Sequence, residues 1–161
     1  MLIEHILKEG VNNIAVFYGG RFQPMHQGHS DVYKHLCSKF GADNVFIATT
    51  FSQKAKKAHA SEDFSSDPFT FSEKASIMNK MFNIPGDKII NTNPYRPDLA
   101  AIGADPATTA TILVYGAKDA DRLATGGEGF LHKMPDNMDE LIPTAQDRGY
   151  VYVAPLMQGG M

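Results

Sequence analysis

Two histidines three positions apart, His26 and His29, stand in the stretch "YGGRFQPMHQGH" (18–29) together with Arg21, Gly19, Gly20 and Gly28. Imidazole N–H groups donate hydrogen bonds to phosphate oxygens. A guanidinium adds a fixed charge with two parallel donors. Glycines let a backbone turn tightly and let a ligand approach the main chain. Around a helix start, two residues three apart project to the same side. The combination suits a phosphate. A metal centre would need a third ligand at a suggestive spacing, and none is present.

These residues need a frame. "NIAVFYGG" (13–20) reads as a buried strand. After the histidines, Val32, Leu36 and Phe40 recur every four residues beside Tyr33 and Cys37, one face of a helix that Gly41 ends. That helix is expected to begin near Gly28 and His29, offering phosphate its free N–H groups and positive dipole end. "NVFIATTF" (44–51) is a second strand, and the polar stretch that follows, with Lys54, Lys56 and Lys57, reads as an exposed loop. Thr70 and Glu73 form a capping box before a helix with Ile77, Met78, Met81 and Phe82 on its buried face. "DKIINT" (87–92), "TILVYG" (111–116) and "YVYVAP" (150–155) are three further strands, with a short helix near Pro97 and a helical turn near "NMDELI". The N-terminal "MLIEHILKEG" reads as a short amphipathic helix ended by Gly10.

Nearly continuous apolar strands alternating with helices predict a doubly wound, five-stranded parallel sheet of Rossmann-like type, covered on both faces. Ligands of such sheets bind outside the carboxyl ends of the strands. Both the histidine loop and a second cluster, "YGAKDADR" (115–122), fall there. Gly116, Lys118, Asp119 and Arg122 are its candidates for nucleotide contact. An ordinary helix start, with Asp119 as cap and Lys118 solvated, is the alternative. No Gly-Lys-Ser/Thr follows the first loop, so it is not a Walker A loop, and G-x-G-x-x-G is absent.

The chain has 161 residues, 43% of them hydrophobic and 20% charged, which suits a single domain over 1–161. A net charge of −3 gives no broad basic face for nucleic acid. No apolar run approaches the ~18 residues of a membrane span, and the N-terminus is too short and acidic for a signal peptide. One cysteine, Cys37, allows no internal disulfide, so a reducing, cytoplasmic setting is expected.

"GRFQPMHQGH" resembles the first signature of the HxGH nucleotidylyltransferases, with His26, Gly28 and His29 matching the motif. The variant beginning Gly-Arg-Phe-Gln-Pro, which includes Arg21 and Phe22, is most similar to nicotinamide mononucleotide adenylyltransferases of the archaeal and bifunctional bacterial type. "DPFTFSEK" (67–74) resembles the Asn-Pro-Phe-Thr-x-x-Glu-Arg segment of that branch, with Lys74 in place of the arginine. The resemblance implies a fold of the HUP type and transfer of AMP from ATP to nicotinamide mononucleotide, as in NAD synthesis. It assigns His26, His29 and Arg21 to catalysis, and Gly19, Gly20, Phe22, Gly28 and the second cluster to the nucleotide. Lys74 is its candidate for a phosphate or acceptor contact; Lys54, in the basic loop 52–67, is a further candidate if that loop closes over the substrates, a solvated loop being the alternative. It also implies Mg²⁺ carried with ATP, without a protein metal cage, and is compatible with a homo-oligomer. The family's second signature, a Ser/Thr-rich helix start with an arginine, is expected after the fifth strand. The sequence reads "APLMQGGM" there, so the domain is expected to lack that segment.

The implied chemistry is attack by an acceptor phosphate on the α-phosphorus of a nucleoside triphosphate, with pyrophosphate leaving. A cytidylyltransferase, an adenylyltransferase with another phosphorylated acceptor, and a non-catalytic nucleotide-binding module are the alternatives.

Overall fold

The computed structural model describes residues 11, 13–22, 24–50, 69–94, 96–116, 131–146 and 148–155. The expected N-terminal helix, the basic loop with Lys54, and Lys118, Asp119 and Arg122 lie outside the described residues.

The described residues form one six-stranded sheet. Its strands are β1 (Asn13–Gly19), β2 (Val45–Thr49), β3 (Ile89–Asn91), β4 (Thr109–Tyr115), β5 (Leu131–Lys133) and β6 (Gly149–Val153). The order is β3-β2-β1-β4-β6-β5, and every pairing is parallel. The sheet therefore has six strands rather than five. The addition, β5, is a three-residue edge strand whose residues are half-buried or exposed, so it carries no apolar run. The architecture is a Rossmann-like α/β sheet. The chain winds from β1 outward to β3, then returns to the other side of β1 as β4. That reversal makes the carboxyl ends of β1 and β4 a topological switch point.

Period-two alternation divides the strand side chains between two faces. Val16 and Tyr18 of β1 join Ala110, Ile112 and Val114 of β4 in the larger core cluster. Ala15 and Phe17 join Leu113 and Tyr115 on the opposite face. All seven residues of β4 are buried, as a central parallel strand requires. The first face is covered by α1 (Gln27–Phe40), through Val32, Tyr33, Leu36 and Phe40, and by α2 (Phe71–Phe82), through Met78. The second face receives Leu99 from a 3-10 turn, Leu99–Ile102, where the sequence predicts a short helix. The "NMDELI" turn is likewise a single 3-10 turn, Met138–Glu140.

Two terminators do what their residue types allow. Gly41 ends α1 at φ 93° and Asn83 ends α2 in the left-handed region at φ 59°. The capping box of α2 is present: Thr70 Oγ1 accepts from the Glu73 N–H at 3.3 Å, and Glu73 accepts from the Thr70 N–H at 2.9 Å. Thr70→Ala is expected to lower stability by about 1 kcal/mol, read from a denaturant midpoint. The buried stripe of α2 differs from expectation. It runs through Phe71, Lys74, Ala75, Met78 and Phe82, which leaves Ile77 at its margin and Met81 69% exposed. Among the described residues no helix is long and apolar enough to cross a membrane.

Candidate active site

The helix α1 starts on a histidine. His26 is the N-cap, extended at φ −119° and ψ 179°. Its Nδ1 accepts from the N–H of Gly28 at 3.1 Å and of His29 at 3.4 Å. In return, His29 Nδ1 accepts from the His26 N–H at 3.1 Å. This is a capping box built from two imidazoles.

A backbone N–H can only donate, so both Nδ1 atoms carry a lone pair and the ring proton of each neutral histidine sits on Nε2. The rings stack with centroids 3.6 Å apart and planes 17° apart. The two remaining N–H donors thus belong to one paired unit at the positive end of α1. No acidic residue stands in the first turn to offset that end. One expectation changes in consequence. The N–H groups of Gly28 and His29 are taken by the cap, so the helix start presents its donors through imidazoles.

Burial holds the His29 imidazole down from its ordinary 6.5 to about 4, and the neighbouring His26 ring adds to the effect. The unfolded chain titrates at the ordinary value, so between the two values it binds more protons than the folded state does. The stability this group contributes is complete above about pH 6.5 and is lost as the pH falls toward 4. Melts of the ligand-free protein should therefore show a decline over that interval that His29→Asn reduces.

Phe22 closes the loop from β1 to the cap. It is a bulky residue in the left-handed region, φ 49°, and its side chain is 4% exposed. Such a conformation costs about 1–3 kcal/mol and persists where the surroundings over-determine it. The surroundings are Tyr18, with ring centroids 5.3 Å apart and planes at 81°, and His29, at 5.0 Å and 83°. Gly20 completes the seat, because a Cβ there would lie 3.2 Å from two carbons of the Phe22 ring.

The strand ends around this loop are tied together. Gly20 N–H donates to Ala48 O of β2 at 3.3 Å, and Thr49 Oγ1 donates to Arg21 O at 3.4 Å. The segment after β3 crosses to the ends of β1 and β4, where Tyr115 Oη donates to Pro94 O. Gly19 admits it: a Cβ at that position would meet Pro94 Cβ at 2.8 Å.

Of the residues expected from the sequence, Gly19, Gly20, Arg21, Phe22, His26, Gly28 and His29 share this one loop and cap. Gly116 immediately follows β4, two residues beyond the Tyr18–Val114 pair, at the same carboxyl edge of the sheet. Among the described residues, a Cβ at Gly116 would meet nothing within 4 Å. Lys74 is placed differently from an open phosphate contact. Its side chain is 1% exposed, and its ammonium donates to Thr50 O, just after β2, at 3.3 Å. Phe22, too, offers its ring to the core rather than to an open pocket. Among the described residues no three of His, Cys, Asp and Glu cluster as metal ligands.

A strand, a glycine turn and a histidine-capped helix thus meet at the switch point of a parallel sheet, the place where ligands of such sheets bind. Residues 17–128 match the model of a family described as cytidylyltransferase-like.

The chain belongs to the cytidylyltransferase-like family.

The matched span starts within β1, contains α1, α2 and β4, and covers the histidine cap, Gly19, Gly20 and Gly116. Membership makes the protein a nucleotidyltransferase and supports nucleotides as its substrates. No curated protein matches the chain.

Proposed function

We propose that this nucleotidyltransferase joins a nucleoside monophosphate to a phosphorylated acceptor. The observation that carries the reading is the stacked pair His26 and His29, with both Nδ1 atoms spent on the cap and both Nε2–H groups left to donate. An acceptor phosphomonoester has a second pKa of about 6 and is already ionised at neutral pH. Its oxygen attacks the α-phosphorus, the new P–O bond forms as the α–β bridging bond breaks, and pyrophosphate departs with the bond's electron pair. No proton needs to be removed from the nucleophile, so no strong base is required. The task is to hold the phosphates in line and stabilise charge on their oxygens. The imidazole donors and the end of α1 suit that task, with Arg21, exposed in the same loop, as a further contact.

Mg²⁺ is proposed to come with the triphosphate, held by phosphate oxygens and water. The donor set of the cap fits this arrangement, because its N–H groups complement phosphate oxygens and leave the cation to the substrate.

Two choices of base follow from different observations. The family match favours a cytidylyl donor or an acceptor other than nicotinamide mononucleotide. The Gly-Arg-Phe-Gln-Pro variant supports ATP and nicotinamide mononucleotide. Pyrophosphate release from ATP and from CTP, each tried with nicotinamide mononucleotide and a panel of other phosphomonoesters, separates them. The preferred triphosphate is also expected to raise the melting temperature more. Nucleotide-dependent stabilisation without pyrophosphate release from any pair would replace the enzyme reading by a binding module.

A further inference from the structure

We propose that Phe22 is a positioning residue for His29: its ring, turned inward by a left-handed backbone, fixes the plane in which the imidazole presents Nε2–H to a substrate phosphate. The inference rests on the nucleotidyl-transfer reading of the site and adds to it what holds the donor still.

His29 is braced from two sides. On one side is the stack with His26 and the Nδ1 hydrogen bond, and both of these come from a residue that is itself exposed. A stack on an exposed ring has no anchor in the core. On the other side stands Phe22, nearly perpendicular to the imidazole at 83° and itself set against Tyr18 of β1. Tyr18 is buried in the main core cluster. Support from β1 therefore reaches His29 by two routes, edge-on from Tyr18 at 6.3 Å and more closely through Phe22 at 5.0 Å, and only then passes to His26.

The left-handed φ of Phe22 belongs to this arrangement, since it is what carries an aromatic side chain from the loop back beneath the cap. Gly20 leaves the space that the ring occupies. Among the described residues, the titratable groups packed against His29 are His26, on the same cap, and Tyr18, whose burial pushes its phenol up to about 12 and keeps it neutral. Phe22 is the closer of the two core aromatic rings set edge-on to the imidazole, at 5.0 Å against 6.3 Å for Tyr18.

The test is imidazole nitrogen NMR on the ligand-free protein across pH, for wild type and Phe22→Leu, with turnover measured in parallel. Leucine keeps apolar bulk and loses the flat ring. In wild type, His29 should carry its proton on Nε2 and titrate well below 6.5. In Phe22→Leu, the titration should move up toward 6.5 and the second tautomer should appear. Turnover should fall by about tenfold to a hundredfold with little change in KM for the triphosphate, as expected when a donor is misplaced rather than removed. Wild-type His29 protonated on Nδ1 would overturn the proposal. So would a folded Phe22→Leu protein with unchanged titration and turnover. If Phe22→Leu does not fold, Phe22→Met, which also keeps apolar bulk and loses the flat ring, is read by the same titration and turnover, with the same results expected and the same results overturning the proposal. If no substrate pair releases pyrophosphate, the reaction fails while the NMR result still decides the role of Phe22.

Discussion

His26→Asn is expected to lower turnover by about a hundredfold to a thousandfold while leaving the melting temperature nearly unchanged. The structure gives His26 two separable tasks. Its Nδ1 accepts from the N–H groups of Gly28 and His29 and so starts α1. Its Nε2–H faces no such internal duty. Asparagine is among the best N-cap residues, and its amide oxygen sits where Nδ1 does. The cap survives in the variant, but the side chain ends short of the Nε2 position and the phosphate donor is lost. His26→Ala, by contrast, removes both tasks and should also cost about 1 kcal/mol of stability. Pyrophosphate release and thermal melts on both variants separate the two effects. A wild-type rate from His26→Asn would show that the imidazole serves the helix alone.

Gly19→Ala should damage fold and turnover together. The added methyl would lie 2.8 Å from Pro94 Cβ and 3.2 Å from Pro94 O and from the Tyr115 ring. Neither a proline ring nor a main-chain carbonyl can swing aside as a flexible side chain does. Either the segment after β3 lifts away, breaking the bond from Tyr115, or the end of β1 shifts. Overpacking of this kind costs about 1–3 kcal/mol. A shift of β1 also moves Gly20, Phe22 and the cap, and a misplacement of about 1 Å at a reacting centre can cost a hundredfold in rate. A denaturant midpoint and a turnover number measure the two losses. Gly116→Ala is the comparison for the denaturant midpoint, because among the described residues nothing lies within 4 Å of a Cβ added there. If Gly19→Ala behaved like Gly116→Ala, the contact with Pro94 would have no structural weight.

The elements that carry long apolar runs or clear periodicity were legible in the sequence. β1, β2, β4 and β6 have continuous apolar stretches, and α1 shows its face through Val32, Leu36 and Phe40. Thr70 and Glu73 announce α2 because threonine and glutamate are the usual members of a capping box. β5 was not legible: three residues on a sheet edge, one of them His132, give neither alternation nor a run. The burial of Lys74 was hidden for a related reason, since an amphipathic pattern assigns a lysine to solvent.

Within the site, the residues of the loop could be read, but the way they are held could not. Histidine is not among the residues that normally signal an N-cap. The spacing His26-x-x-His29 is nevertheless that of a capping box, and it is the signal that could have revealed the reciprocal bonds. Nothing in the sequence marks Phe22 as left-handed, a conformation that bulky aromatic residues seldom adopt.

The reciprocal cap also makes His26 and His29 a single unit of mutation. Each ring accepts from the main chain at the other's position, and each ring lies flat on the other. Losing one removes the stacking partner of the second and frees it to turn. The first substitution therefore spends most of what the pair contributes, and the second finds little left to remove. Groups in direct contact couple in this way, so the double variant should lose far less than the sum of the two single losses. Any mutational path away from this pair meets its whole barrier at the first step, whichever histidine changes first.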